Sequence, residues 1–222
     1  MTPTTTEPLR TELTEIPDRI KALPVFRGYP VPWFVAYPNG PDADPEFRVA
    51  DAQKWVRAVK EKRCWVCGEQ LGAWLVFVLG PMCGITRTTS EPACHKECAL
   101  WSVYNCPFLS RPHMVRRDGD LPEGTEDAPG CPLKRNPGVT LLWRTRDFRL
   151  FRAQDRRALI TVGEPVEVAC FAEGRRATRE EVDASIAGGL PSLIDLAKQD
   201  GAEAEWDLAQ RVTNFEWFLP AR

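Results

Sequence analysis

Histidine is nearly absent from this chain, with two residues in 222, at positions 95 and 113. That scarcity disfavours chemistry needing several imidazoles, such as an HNH-type nuclease, which uses histidines for water activation and for its catalytic metal. The phosphate loop GxxxxGK[ST], the GxGxxG turn, the GxSxG elbow and the HExxH pair are all missing, so most well-known enzyme classes lack their signature here. The HxE and PCxxC elements of zinc deaminases are missing too. The longest apolar run, Ala73 to Leu79, is far shorter than the roughly 20 residues a membrane-spanning helix requires. The first residues, MTPTTTEPLRTELTEIP, contain no apolar signal region, and the expected compartment is a reducing cytoplasm with no membrane partner. Net charge is −2, which gives no overall attraction to nucleic acid.

Cysteine, by contrast, is plentiful. Six of the eight cysteines and one histidine fall between Cys64 and Cys106. In a reducing compartment thiols bind metal or stay free. Cys64-Trp-Val-Cys67-Gly68 and His95-Lys-Glu-Cys98 are two ligand pairs, each separated by two residues, the spacing that lets two donors reach one tetrahedral ion. Gly68 accepts positive φ and permits the tight turn that points both thiolates into one space. Pro92 favours a first helical turn, so a helix from about Ala93 would project His95 and Cys98 from one face. Cys64, Cys67, His95 and Cys98 are therefore expected to hold one structural Zn2+, with donor atoms within roughly 4 Å of one another. Between the pairs, AWLVFVLG and ITRTT flank Gly80-Pro81-Met82-Cys83-Gly84 and read as a hairpin. Two alternatives stand beside this. CxxC alone can be a redox pair, and Cys83, Cys94, Cys98 and Cys106 could form an iron–sulfur or second metal site that leaves His95 outside.

A knuckle, a hairpin and a helix carrying the last two ligands is the order of treble-clef zinc fingers, and residues 64–101 resemble that superfamily. Gly80-Pro81-Met82-Cys83, Glu91-Pro92, His95, Cys98 and Cys106-Pro107-Phe108-Leu109 are also similar to an uncharacterised group of bacterial and bacteriophage proteins. The first resemblance implies a zinc-ordered subdomain and leaves the function open, because treble clefs serve as nucleases, binding modules and plain supports alike. The second implies no function.

The charge is unevenly spread. Residues 1–110 carry 12 basic and 12 acidic side chains, residues 111–157 carry 11 and 7, and residues 158–222 carry 6 and 12. The basic middle makes DNA or RNA the favoured partner, and Arg144, Arg146, Arg152, Arg156 and Arg157 are the candidate phosphate contacts. Arginine supplies 22 of the 29 basic residues, which a GC-rich genome would also produce. Lys54, Arg57, Lys60, Lys62 and Arg63 form a second basic face, more simply read as solvated. Trp33, Phe34 and Tyr37 could stack bases, but core packing is the plainer reading. An enzyme on a zinc scaffold would need a cleft joining residues such as Arg116, Arg146 and Glu173, whereas a protein adaptor would expose an apolar patch.

The fold class expected is α+β: a treble-clef-like zinc subdomain plus an antiparallel β-meander with C-terminal helices. Residues 1–23 read as a flexible leader with a helical turn near Asp18 to Leu23, and 24–110 as the zinc-ordered subdomain. In that part Asp51 caps a helix running to Lys62, and Pro107 ends the helix that carries the second ligand pair. Residues 111–137 read as a long loop or linker, and 138–222 as the meander and helices. Thr178-Arg-Glu-Glu181 is a capping box opening a helix to about Ala187, stopped by Gly188-Gly189, with two further helices at Pro191–Gln199 and Ala202–Val212. The aromatic tail NFEWFLPAR is expected to dock on the body.

Overall fold

A computed structural model describes residues 9–111, 114, 115, 119, 121, 136–153 and 157–221. Its N-terminal part contains α1 (Asp18–Lys21), β1 (Val25–Phe26), β2 (Tyr29–Pro30), β3 (Val35–Ala36), β4 (Glu46–Ala50) and α2 (Ala52–Lys60). The middle contains β5 (Leu75–Leu79), α3 (Pro81–Thr86), β6 (Thr88–Thr89), α4 (Lys96–Asn105) and α5 (Pro107–Ser110). The last part contains β7 (Thr140–Thr145), β8 (Phe148–Arg152), β9 (Ala158–Val162), β10 (Glu167–Ala172), β11 (Arg175–Arg176), α6 (Arg179–Asp200), α7 (Ala202–Phe215) and a 3-10 turn at Glu216–Phe218.

The central sheet has the order β11-β10-β7-β5 and is antiparallel throughout. Its strands are rich in Val, Leu, Phe and Trp, which suit a pleated surface buried on both sides. The period of two sorts them by face. Leu141 and Trp143 look one way. Trp143 stacks edge-on against Phe218 at 5.4 Å between centroids, and Gly84 of α3 brings its backbone against Leu141 and Phe215. Val76, Leu142 and Ala169 look the other way and line a small cavity together with Leu100 of α4, while Tyr104 of α4 packs edge-on to Phe171. A second antiparallel sheet, β6-β9-β8, is joined to the first through Phe77 and Phe148, 6.0 Å apart.

Several sequence expectations hold. Asp51 caps α2 by accepting from the backbone N–H groups of Gln53 and Lys54. The Thr178–Glu181 capping box is formed, and α4 ends at Asn105, just before Pro107. In the tail, Phe215 is buried and Phe218 is packed, whereas Trp217 stays exposed. The flexible leader expected over residues 1–23 is instead packed down from residue 9, the first described: Ile20 is fully buried, Leu13 and Ile16 pack on the core, and the Thr14 N–H donates to Asn105 Oδ1 at 3.1 Å.

Other expectations are corrected. No hairpin joins β5 to β6: β5 pairs with β7, and β6 with β9. The reason lies in Gly80-Pro81, which starts the short helix α3 with proline in its first turn rather than a tight turn. The four strands after residue 138 occur where expected but do not form a meander. Both edges of β7 are taken, by β5 and β10, so the chain leaves that sheet at Arg146-Asp147 and starts a β8–β9 hairpin in the other. Gly188-Gly189 does not stop a helix. α6 continues through both glycines and Pro191 to Asp200, merging two expected helices. A Cβ on Gly189 would sit 2.8 Å from Met82 Cγ, so this glycine permits close approach of α3 rather than termination. The loop or linker expected over 111–137 falls mostly outside the described residues.

Gly84 tests the close packing on the first face. A Cβ there would lie 2.7 Å from Leu141 Cδ1 and 2.8 Å from Phe215 Cε2, so Gly84→Ala should lower stability by about 1–3 kcal/mol in a denaturant titration. An unchanged midpoint would mean that Leu141 and Phe215 move aside without cost.

Candidate metal centre

Two structural pieces converge on the metal-binding residues. The first is a knuckle. The chain folds back between Arg63 and Gln70, which form an isolated antiparallel bridge, and closes with Gly68 N–H to Cys64 C=O at 2.8 Å and Cys64 N–H to Glu69 C=O at 2.8 Å. Gly68 has φ +78° and lies under the Trp33 ring, where a Cβ would come within 2.6 Å; both conditions demand glycine. The second piece is the start of α4. Cys94 pairs with Val76 of β5, its N–H donating at 2.7 Å and its C=O accepting at 3.1 Å. This pins the helix start against the central sheet. His95 is the N-cap residue in extended conformation and the helix begins at Lys96, not at Ala93, so Cys98 rather than His95 is the helical member of the second pair.

The Sγ atoms of Cys64, Cys67 and Cys98 and a ring nitrogen of His95 lie within 4.8 Å of one another, and the three cysteines are buried. Cys67 Sγ is 3.4 Å from His95 Nδ1 and Cys98 Sγ is 4.0 Å from it. The spread is somewhat wider than the expected 4 Å, and a tetrahedral centre would draw the farthest pair together by about 1 Å. His95 Nε2 lies 3.0 Å from the Gln70 carbonyl oxygen. A carbonyl only accepts, so Nε2 keeps a proton, and it is Nδ1 that faces the thiols and offers its lone pair once it is deprotonated, the outer-shell arrangement typical of ligand histidines. The His95 backbone N–H also donates to Cys64 Sγ at 3.4 Å.

Crowding these donors drives their titrations apart. Burial by itself would raise the Cys64 thiol, but hydrogen bonds from Cys67, Cys94, Cys98 and His95 outweigh it and pull it down. Hydrogen bonding to the Cys64 and Cys67 sulfurs, and then burial, push the Cys98 thiol up. The same two sulfurs raise His95 to about 10. Several donors able to carry negative charge in one buried space call for a cation between them, and these four are placed to bind a metal ion.

Among the described residues no other His, Cys, Asp and Glu group has this geometry. Cys94, Cys98, Cys83 and Cys106 do not assemble a separate cluster. Cys94 is a buried neighbour that hydrogen-bonds Cys64, and burial pushes the Cys83 thiol up to about 11 and raises that of Cys106. His113 lies outside the described residues.

Two supports of the site were not visible beforehand. Arg19, in the segment to which the sequence assigned no chemistry, bridges Glu97 of α4 at 2.7 Å and Glu69 of the knuckle at 3.4 Å. Its only sequence signal was the charge pattern, since the partners are 50 or more residues away. Trp33 and Phe34 clamp the other side: Phe34 stacks on Trp65 at 5.0 Å, Trp33 meets the same ring edge-on at 6.5 Å, and the Trp33 N–H donates to Val66 C=O at 2.7 Å. These aromatics are packing residues. Tyr37 lies under Lys54 Nζ, 5.4 Å from the ring centre.

The basic residues sort differently from a single patch. Arg144 and Arg146 both lie over Trp74, with Cζ 4.2 and 4.3 Å from the ring centre, and Arg144 also donates to Glu167 at 3.0 Å. Arg152 and Arg157 stand at the closed end of the β8–β9 hairpin, where Ala153 N–H donates to Arg157 C=O, the full length of β8 from Arg146. Arg156 lies outside the described residues. On α2, Arg57 pairs with Glu61 and Lys54 donates to Val35 C=O, and just after it Arg63 pairs with Glu61, which fits a locally satisfied surface. Of the cleft residues, Arg116 is outside the described residues, Arg146 is on Trp74, and Glu173 is 3.7 Å from Arg175; no contact joins Arg146 to Glu173. No helix among the described residues is long and apolar enough to cross a membrane. No protein-family model, no curated protein and no solved structure matches the chain.

The raised His95 pKa sets the sign of the pH dependence. In the metal-free chain, protonated His95 beside the Cys64 sulfur contributes stability that is full below about pH 6.5 and lost as pH rises toward about 10. Coordination runs the opposite way, because the imidazole must first give up that proton. Metal uptake at pH 7 should therefore release protons, and affinity should fall as pH is lowered. Calorimetric titration in buffers of different ionisation enthalpy measures the proton count, and a pH-independent affinity would contradict coordination by His95.

Proposed function

We propose that this chain is a zinc-stabilised, non-catalytic binding protein in which Cys64, Cys67, His95 and Cys98 hold one structural Zn2+, with nucleic acid as its partner. The observation that carries the first part is the closed Cys3His set. Thiolates and an imidazole favour zinc over hard, oxygen-seeking cations, and four protein donors leave no position for a reactive water. The ion would join the knuckle to the start of α4, which is a supporting role. A knuckle followed by a helix start bearing the second pair keeps the treble-clef resemblance, with a strand–helix–strand segment where that superfamily has a hairpin. A reducing cytoplasm fits unpaired cysteines and a thiolate-rich centre.

Nucleic acid is favoured by the basic excess between residues 111 and 157 and by Arg146 on Trp74, a cation beside an aromatic ring of the kind that meets phosphate and base together. Binding of single-stranded DNA, duplex DNA or RNA in a mobility assay should weaken steeply as salt rises, and Arg146→Glu with Arg157→Glu should abolish it with the melting temperature unchanged. No shift with any probe at micromolar protein removes the nucleic-acid part. The reading that would remain is a protein-binding scaffold, favoured by the exposed Trp206 and Trp217.

Zinc as a support makes a separate prediction. Removing the metal with a chelator should unfold the region around the knuckle and α4, because the binding energy is folding energy. Hydrogen exchange before and after chelation would measure it. Protection retained at Cys64–Val66 and Cys98–Val103 would overturn the structural role.

A further inference from the structure

The small cavity between α4 and the central sheet is lined by three cations, Lys96, Arg144 and Arg176, and one carboxylate, Glu167, over an apolar floor. Strand register builds it. Val76 of β5 stands opposite Arg144 of β7, and Arg144 opposite Glu167 of β10, so the three share one row on one face of the sheet. Lys96, the first residue of α4, reaches that row: its Nζ lies 3.2 Å from both Glu167 oxygens, and Arg144 Nη1 donates to one of them at 3.0 Å. Arg176 of β11 lines the same cavity, with its Cζ 4.5 Å from the centre of the Phe171 ring. Lys96 and Arg176 are exposed, so the cavity opens to solvent.

The charges do not cancel. Three cations against one carboxylate leave two positive charges, and Arg146 adds a third beside them, on the same Trp74 ring as Arg144. Hydrogen bonds from Arg144 and then Lys96 hold Glu167 below the usual carboxylate range, which marks the spot as one that favours negative charge. A concave site with apolar walls focuses such a field.

We propose that this cavity binds a phosphate group, with Arg144, Arg176 and Lys96 as donors and Glu167 as the internal anion that competes with it. Guanidinium forks match phosphate oxygens in geometry as well as charge, and a doubly charged phosphate monoester balances the two uncompensated cations. The Trp74 and Phe171 rings hold the two guanidiniums in place. Lys96 lies between His95 and Cys98, so the candidate metal centre sets where this wall of the cavity stands. The group can belong to a free phosphate monoester or to a nucleic-acid strand, and the site does not depend on the strand.

NMR titration of the full metal-loaded chain at low salt tests the site with two probes, thymidine 5′-monophosphate and a thymidine decanucleotide without a terminal phosphate. Binding should shift the Trp74 indole signal and the side-chain signals of Arg144 and Arg176. Arg176→Gln should weaken it by about tenfold. Glu167→Gln removes the competing carboxylate and should tighten it, an effect opposite in sign to what loss of a merely structural ion pair would give. A response to the monophosphate alone supports the cavity and removes the nucleic-acid partner, whereas a response to the decanucleotide that follows both substitutions supports the two together. No shift at these residues with either probe overturns the inference. So does decanucleotide binding that neither substitution changes, which leaves the nucleic-acid reading standing without this site. If Glu167→Gln fails to fold, Arg176→Gln alone decides.

Discussion

The tightest constraint on this molecule is the meeting of the Cys64–Cys67 knuckle with the start of α4. β5, α3 and β6 separate them in sequence, and the two strands enter different sheets. What brings the two pieces into register is the Val76–Cys94 bridge on one side and the donor cluster on the other. The four donors sit where burial and mutual repulsion make a cation-free cluster costly. The candidate metal-binding group and the central sheet are thus one mechanical unit, since Cys94 is hydrogen-bonded to β5 and the next residue, His95, donates its backbone N–H to the Cys64 sulfur.

From that joint the rest of the packing follows outward. Arg19 ties α1 across knuckle and helix, and the Trp33 and Phe34 rings pack on Trp65 of the knuckle. α4 covers one face of the central sheet, and α3 with the end of α7 covers the other, over Leu141 and Trp143. The second sheet hangs from the first by the Arg146-Asp147 crossover and the Phe77–Phe148 contact.

The sequence disclosed the local features and concealed the long-range ones. The four donors were legible because metal spacing is a short-range signal, and the caps at Asp51 and Thr178 were legible because capping is settled within three residues. Strand positions after residue 138 could be read from alternation and turns. Their partners could not, because pairing β5 with β7 spans about 60 residues and no local propensity encodes it. Glycine misled twice for one reason. At Gly84 and Gly189 it serves contact with a distant side chain, whereas a reader of the chain sees only a turn or a helix stop. Arg19 was hidden in the same way, as a single cation in a polar segment whose partners lie on the knuckle and on α4.

Cobalt substitution probes the centre most directly, because Co2+ accepts zinc's ligands and reports their number and geometry in its visible spectrum. Titrating metal-free protein with Co2+ should give the intense absorption of a tetrahedral ion with thiolate charge-transfer bands, saturating at one equivalent, and Zn2+ should displace it. A weak octahedral spectrum, or no saturation at one equivalent, would contradict a closed centre made by Cys64, Cys67, His95 and Cys98.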